Sequence, residues 1–490
     1  MPAKRPAAPV LLKGGEVHTV AGAVLAKTDV LLVDGKIAQI GADLAAPAGA
    51  QVIDVTGKRV YPGLISANSQ LGTEEISSVR ATVDSAETGA INPNARAQVA
   101  VNADSELIPV TRANGVLTVL TTPTVTGDGQ PSSGLLAGTS ALLRLDGWNW
   151  EDMTLRANVG LHLNWPAAAE GRRGRGRGGD DPQKRVEEQV KTLRHAFAAA
   201  KAYLRARAGA QPVETDLRWE AMLPVLRGEM PVFVHADDIK QISAALDWAR
   251  DEGVTMILVG GRDAWRVADR LKAADVAVIV GGTFELPARR DDGYDDVYTN
   301  AAKLHGAGVR FCIANSSGPA AGATNARNLP YEAALAAAFG LPADEALKAI
   351  TLYPAQILGV GAELGSIETG KRATLIVTDG DPLEIPTQVE LAFVDGCGSV
   401  LARDSAWCAC RDQGRSHKYR GQVSGMPGSL LRLGLGGGTG SVRSADCAKT
   451  DDILLASRFP PRRSDGRELR GDWSNASGLA PRMFTPRFIF

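Results

Sequence analysis

Residues 59–72 read RVYPGLISANSQLG. An apolar run from Val60 to Ser66 passes through a Pro-Gly step and leaves the polar triplet Asn68-Ser69-Gln70 at its end. In parallel α/β barrels, residues just past the carboxyl end of a strand sit at the mouth, where chemistry is done. The stretch therefore predicts a first barrel strand that delivers three polar side chains to the mouth.

Upstream, VLLKGGEVHTV (10–20), TDVLLVDGKIAQIG (28–41) and AQVIDVTGKRV (50–60) have the pattern of short strands and turns. Asp34-Gly35 between alternating apolar runs is a hairpin signal. Downstream, eight β-type apolar runs can be placed: Val60–Ser66, Gly115–Leu120, Gly138–Leu145, Val159–Asn164, Pro231–His235, Thr255–Val259, Asp275–Val280 and Val309–Ala314. Helical stretches are expected at Ala97–Arg112, Arg185–Arg207, Ile239–Asp251, Ala264–Ala273 and Tyr331–Phe339. Runs rich in Val, Ile and Leu that alternate with helices point to a parallel sheet covered on both faces. Eight of them suit a (β/α)8 barrel, and no dinucleotide glycine fingerprint supports an open doubly wound sheet.

A chain of 490 residues exceeds the usual size of one domain. Its 44% hydrophobic and 22% charged residues are ordinary for a globular enzyme, and a formal net charge of -1 gives no field for nucleic acid or an anionic membrane. The expected partner is a small-molecule ligand or substrate, with no nucleic acid and no membrane; a homo-oligomer stays open. No apolar run reaches transmembrane length, and the opening MPAKRPAAPVLLKGG is too short in apolar residues for a signal peptide. A cytoplasmic location is the direct reading, with the periplasm open if an export signal precedes this start. Four of the five cysteines fall at 397 or later, so they do not staple the body. The long polar loop 71–94 after the first strand is a binding element by its length, and GRRGRGRGG (171–179) reads as a flexible exposed loop.

The segment 59–72 resembles the PGLIDxHxH signature of the amidohydrolase superfamily. LGSIETGKRATLIVTDGDPLEIPTQVELAFVDG (364–396) resembles the closing segment of the same proteins, and ITLYPAQILGV (350–360) resembles their last barrel helix. The resemblance covers residues 10–396. It implies a TIM barrel over 60–363, with a small composite β-sandwich built from 1–59 and 364–396. It further implies hydrolysis of a non-peptide carbon–nitrogen bond, as in a cyclic amide, with a divalent metal such as zinc. Residues 397–490 fall outside it, show no trusted period, and are expected to form a poorly packed, non-homologous tail.

Carried over position by position, the resemblance places the strand-one metal-binding histidines at Asn68 and Gln70. The strand-five histidine is matched by His235 in PVFVHADD, which makes His235 the metal candidate. The strand-six position falls at Gly260 or Gly261, and the strand-eight aspartate at Asn315. Amide side chains are poor ligands for a borderline metal, and an amide cannot accept a proton at neutral pH. Asn68, Gln70, Asn315, Ser316 and Ser317 would instead ring the mouth with neutral hydrogen-bonding groups, suited to an amide-like ligand. His162 and Asn164 share one face of LHLNW, so an inward His162 would approach His235; a packed barrel histidine is the plainer reading. Asp237 and Asp238 each offer a substitute base or ligand, or a helix cap. The catalytic candidates are thus Asn315 and Asp237, with Asn68, Gln70, Asn315, Ser316 and His162 as ligand-binding candidates. Two functions compete: a metal-dependent amidohydrolase, and a metal-free homologue that binds a small amide-like molecule or serves as a subunit of an assembly; a third class, a nucleic-acid or structural interaction protein, rests only on the Gly/Arg loop and the basic patches of the tail.

Overall fold

The computed structural model describes residues 8–124, 134–167, 181–209, 212–315 and 323–400. The first strands are β1 (Val10–His18), β2 (Val24–Val33), β3 (Lys36–Gly41), β4 (Gln51–Asp54) and β5 (Arg59–Pro62). They join a sheet whose other strands come from the far end of the described chain. β5 pairs in parallel with β1 and antiparallel with a strand at Leu375–Thr378. The turn between β2 and β3 is Asp34-Gly35, with φ of 51° and 79°. Two positive φ values in a two-residue hairpin are what Asp-Gly supplies. A Cβ on Gly35 would also meet the Asp395 carbonyl oxygen at 3.0 Å, so the glycine lets two segments distant in sequence touch.

The Pro-Gly step divides what the apolar pattern joins. β5 ends at Pro62 and β6 is Leu64–Ser69, so the expected single strand Val60–Ser66 is two strands in two sheets. The main-chain N–H of Gly63 donates to Thr374 O at 3.0 Å, and that of Leu64 donates to Gly115 O at 3.0 Å. Consecutive peptide groups thus belong to this eight-stranded sheet and to the barrel. Pro62 has no N–H to lose at the junction.

The barrel continues through β7 (Val116–Thr121), β8 (Leu136–Thr139) and β9 (Ala141–Arg144), with β10 (Thr154–Arg156) flanking β9. Its remaining strands are β11 (Leu161–Asn164), β12 (Val232–Ala236), β13 (Met256–Gly260), β14 (Ala277–Val280) and β15 (Phe311–Ile313), and the hydrogen-bonded ladders fall into two sheets, β10-β9-β7-β6 and β15-β14-β13-β12-β11-β8. Strands β11 to β15 run parallel in sequence order, as do β6 and β7. The third run departs from the expected parallel order: β9 is antiparallel to β7, and β8 is antiparallel to β11. Residues 122–135 link β7 to β8, and their described part contains no helix. A parallel return needs a crossover, usually helical, whereas a reversed strand needs only a turn.

Alternation along the strands sorts two layers. Ile65, Ala67, Leu120, Leu142, Phe233, Ile257, Val259, Ile279, Cys312 and Ala314 fill the interior, with Ala355, Leu358 and Leu364 packed in the same cluster. Val232, Val234, Leu258, Val278, Val280 and Ile313 face outward, with Phe197 and Trp248 of the covering helices. His235 follows the inward Phe233 by two residues and therefore faces inward.

The helices are α1 (Leu107–Arg112), α2 (Trp150–Met153), α3 (Pro182–Arg207), α4 (Leu217–Leu226), α5 (Ile239–Glu252), α6 (Ala268–Ala273), α7 (Asp296–Ala307), α8 (Leu329–Ala338), α9 (Ala343–Ala349) and α10 (Leu352–Ile357). The expected helix Ala97–Arg112 is a 3-10 turn at Ala97–Ala100 followed by α1. Pro109 sits in the first turn of α1, where its missing N–H costs nothing; in a longer helix it would break a bond. α4 and α7 were not marked by the apolar pattern. Beyond β16 (Leu375–Thr378) and β17 (Val389–Val394) lies β18 (Cys397–Val400), antiparallel to β17. The expected tail boundary at 397 is therefore corrected, because these four residues complete the sheet. Residues 401–490 and 171–179 lie outside the described residues. Among the described residues, no helix is long and apolar enough to cross a membrane.

Trp248 of α5 is 1% exposed and packs edge-on to Phe197 at 5.1 Å between ring centroids. Trp248→Ala is expected to lower the unfolding free energy by about 3–5 kcal/mol, read by guanidinium titration. Trp248→Phe is expected to cost less, since Nε1 has no partner to lose.

Candidate functional site

The carboxyl end of β6 carries Asn68, Ser69 and Gln70, all buried. Thr122, one residue past β7, ties this end together. Its Oγ1 donates to Asn68 Oδ1 at 3.0 Å or Ser69 O at 3.3 Å, and accepts from Gln70 Nε2 at 3.2 Å. Ser66 Oγ lies 3.2 Å from both Asn68 O and Asn315 Oδ1. Asn315 Nδ2 donates to Asn325 O at 3.0 Å. Asn68, Gln70 and Asn315 are therefore brought into one hydrogen-bonded network. Ser316 and Ser317 lie outside the described residues. Thr122 and Ser66 went unnoticed in the sequence; the Thr121-Thr122 pair at a strand end was their one signal.

His162 and His235 form the second group. β11 and β12 are in parallel register with His162 opposite Phe233 and Asn164 opposite His235, so all four face one side. The His162 ring stacks on Phe233 at 4.8 Å with an angle of 4° between the planes. His162 Nδ1 lies 2.8 Å from His235 Nε2, a hydrogen bond in which one ring donates. Removal from water pushes the His235 pKa down to about 4. Burial, and then the neighbouring His235, hold His162 well below its usual value. Both rings are neutral near pH 7, and His162 Nε2 is buried without a partner.

Asp237 and Asp238 separate cleanly. Asp238 is the N-cap of α5: it accepts from the N–H groups of Lys240 and Gln241, and the Gln241 side chain returns the bond. Asp237 is exposed and leans over the end of β13. Its Oδ1 lies 2.5 Å from where a Cβ on Gly260 would stand. Gly260 (φ 91°) thus leaves room for the Asp237 carboxylate at the strand-six position. Although the residue as a whole is exposed, crowding around its carboxylate raises the Asp237 pKa, and the Arg262 charge draws it back. After β14, Glu332 of α8 clamps the turn: its Oε2 accepts from Thr283 N at 2.5 Å, Thr283 Oγ1 at 2.6 Å and Phe284 N at 3.2 Å. Burial pushes its carboxyl up to about 7. Of the loop acids, Glu75 accepts from Ser105 and Asn102, away from the network.

These donors fit a catalytic zinc poorly. Such a site needs three protein ligands converging on one point. Among the described residues no group of three His, Cys, Asp or Glu side chains could hold a metal ion. The two inward histidines spend one nitrogen each on the other, and the strand-one and strand-eight positions are amides already engaged.

The neutral pair has a pH consequence. Folded-state pKa values below the unfolded value of about 6.5 mean that the unfolded chain binds more protons as pH falls. The stabilisation is present above pH 6.5 and is lost toward pH 4, whereas the raised Glu332 acts in the opposite direction. A His162→Gln/His235→Gln double variant keeps Glu332, so the difference between the two proteins isolates the histidines. Denaturant titrations at pH 7, 6 and 5 are expected to show a smaller acid loss in the double variant; equal losses would contradict the neutral pair.

Comparison with known proteins gives a consistent family. The profile of the Amidohydrolase family matches residues 235–400. Amidohydrolase tasK of Hapsidospora irregularis is 25% identical over 409 residues, which cover 75% of this chain and 39% of that protein. Imidazolonepropionase of Sphingopyxis alaskensis is 34% identical over 115 residues, covering 23% of this chain and 27% of the relative. The chain thus spans well under two thirds of the length of these curated relatives. An amidohydrolase structure from Thermotoga maritima MSB8 superposes with a TM-score of 0.69 at 24% identity, covering 79% of this chain and 99% of that one, a likeness of fold. The profile match over residues 235–400 and the short stretches shared with imidazolonepropionase make this chain similar to the amidohydrolase superfamily, and the (β/α)8 barrel with a β-rich sheet beside it agrees with that likeness.

Proposed function

We propose that the barrel mouth binds a small amide- or carbonyl-bearing molecule and does not carry out metal-assisted hydrolysis of a carbon–nitrogen bond. The observation that carries this reading is the network around Thr122, which engages Asn68 and Gln70 where the family resemblance calls for metal-binding histidines. Asn315 at the strand-eight position cannot act as a general base at neutral pH. Gly260 contributes no side chain, and the space beside it holds the Asp237 carboxylate.

What the mouth does offer is unmet hydrogen-bonding capacity. Asn68 Nδ2, Asn164 Nδ2 and His162 Nε2 are buried without partners. When His235 donates to His162, the His162 Nε2 carries a proton and all three atoms are donors. Buried donors left unpaired cost about 1–3 kcal/mol each, so a ligand bringing acceptor oxygens is favoured there. A carbonyl or amide group has that chemistry, and it meets no opposing charge from the neutral side chains around it.

Calorimetric zinc titration of the native protein and of an Asn68→His/Gln70→His/Asn315→Asp variant tests this reading. The native chain is expected to bind zinc no tighter than about millimolar, and the variant about a thousandfold more tightly, since it regains imidazole and carboxylate ligands. Stoichiometric micromolar zinc binding by the native chain, accompanied by turnover of cyclic amides, would contradict it.

A further inference from the structure

We propose that Glu332 is a proton-controlled latch on the turn after β14: with its carboxyl protonated the turn is held against α8, and once the proton is lost the carboxylate moves toward water and frees the turn at the edge of the mouth. This goes beyond the ligand reading above and does not depend on it.

Glu332 lies in the first turn of α8 and is 4% exposed. One oxygen, Oε2, takes the donors from Thr283 and Phe284. Thr283 Oγ1 also lies 2.9 Å from the Glu332 main-chain oxygen. Among the described residues nothing bonds to Oε1, so a proton there leaves Oε2 able to accept as before. Thr283 sits three residues past β14, where barrel loops border the mouth, and is fully buried. Phe284 and Leu286 beyond it are 55% and 79% exposed. The loop is fastened again at Arg289, which binds Asp263 and Asp292. Glu332 thus ties the start of this loop to α8.

Among the described residues no cation balances this carboxylate. Burial opposes its ionisation most, the Thr283 and Phe284 donors favour it, and the charge of Glu285 opposes it. α8 packs against α7, α9, β15, β6 and the 3-10 turn at Ala323–Asn328. On α7, Lys303 binds Asp296 at 3.3 Å, His305 faces Glu345 of α9 at 3.6 Å, and Tyr298 packs on Phe339. On α9, Lys348 takes Glu345 at 2.8 Å and Asp344 at 3.3 Å. The 3-10 turn brings Arg327, β15 the buried Cys312, and β6 no titratable group. Burial prevails, and the Glu332 carboxyl is pushed up to about 7 from an ordinary 4.5. In an opened turn the hydrated carboxyl returns to its ordinary value, so the closed turn binds the proton more tightly and acid favours closure. The hold is complete below about pH 4.5 and is lost as pH rises to about 7, where both arrangements are ionised.

Hydrogen exchange of peptides spanning residues 281–288, corrected for the intrinsic pH dependence of exchange, tests the latch, with a peptide from β12 reporting the global fold. In the native protein, opening of the turn is expected to rise on the order of tenfold from pH 5 to pH 7 and to level off above it. Glu332→Gln keeps a neutral acceptor and is expected to stay closed at every pH; Glu332→Ala loses the acceptor and is expected to be open at every pH. Thr283→Ala keeps the acid but removes one donor to it, so its transition is expected to move to higher pH, and it carries the attribution if the Glu332 variants do not fold. A native turn whose opening does not change between pH 5 and pH 7, a Glu332→Gln variant with the native pH dependence, or a Thr283→Ala transition that does not move overturns the latch.

Discussion

Everything at the mouth depends on where the main chain changes sheets. At Gly63 and Leu64, successive N–H groups bond to Thr374 and to Gly115, fastening the eight-stranded sheet to the barrel. A Cβ on Gly63 would meet Leu117 at 2.8 Å, so the crossing is held tightly against β7. This fixes the start of β6 and hence which of its residues reach the mouth. Ile65 and Ala67 then fill the interior, and Asn68 and Gln70 meet Thr122.

From that geometry follows a mouth that differs electrically from a metal centre. A bound divalent cation would need deprotonated, electron-rich donors pointed at one place. Here two imidazoles bond to each other, three amides bond to hydroxyls and carbonyls, and a glycine accommodates a neighbouring carboxylate. Removing charge from a low-dielectric interior avoids the desolvation cost that paired ions must overcome. On the rim, Asp237 and Arg262 carry opposite charges that act on each other. Glu332 is a different case: a buried carboxylate kept by three donors from the turn after β14, where it holds backbone and not a ligand.

Much of the fold was legible because the apolar runs are long and their spacing is regular. The strand from Val232 to Ala236 was marked as an apolar run, and the helix from Ile239 as a helical stretch with an aspartate before it. The reversed β8–β9 run was not legible, since alternation carries no direction. The split at Pro62-Gly63 was hidden because both halves are equally apolar. Within the site, Asn68, Gln70, His235 and Asn315 were identified by matching positions in the quoted motifs, and His162 by its face. Thr122 and Ser66 were invisible: hydroxyls are common, and only packing tells an engaged one from a solvated one.

Elemental analysis of the purified native protein, by inductively coupled plasma mass spectrometry after dialysis against metal-free buffer, tests the central claim most directly. The account predicts zinc, manganese, iron and nickel each far below one equivalent per chain. Retention of about one or two equivalents of any of them, lost in a His235→Ala variant, would contradict it and would place a working metal centre on the histidine pair.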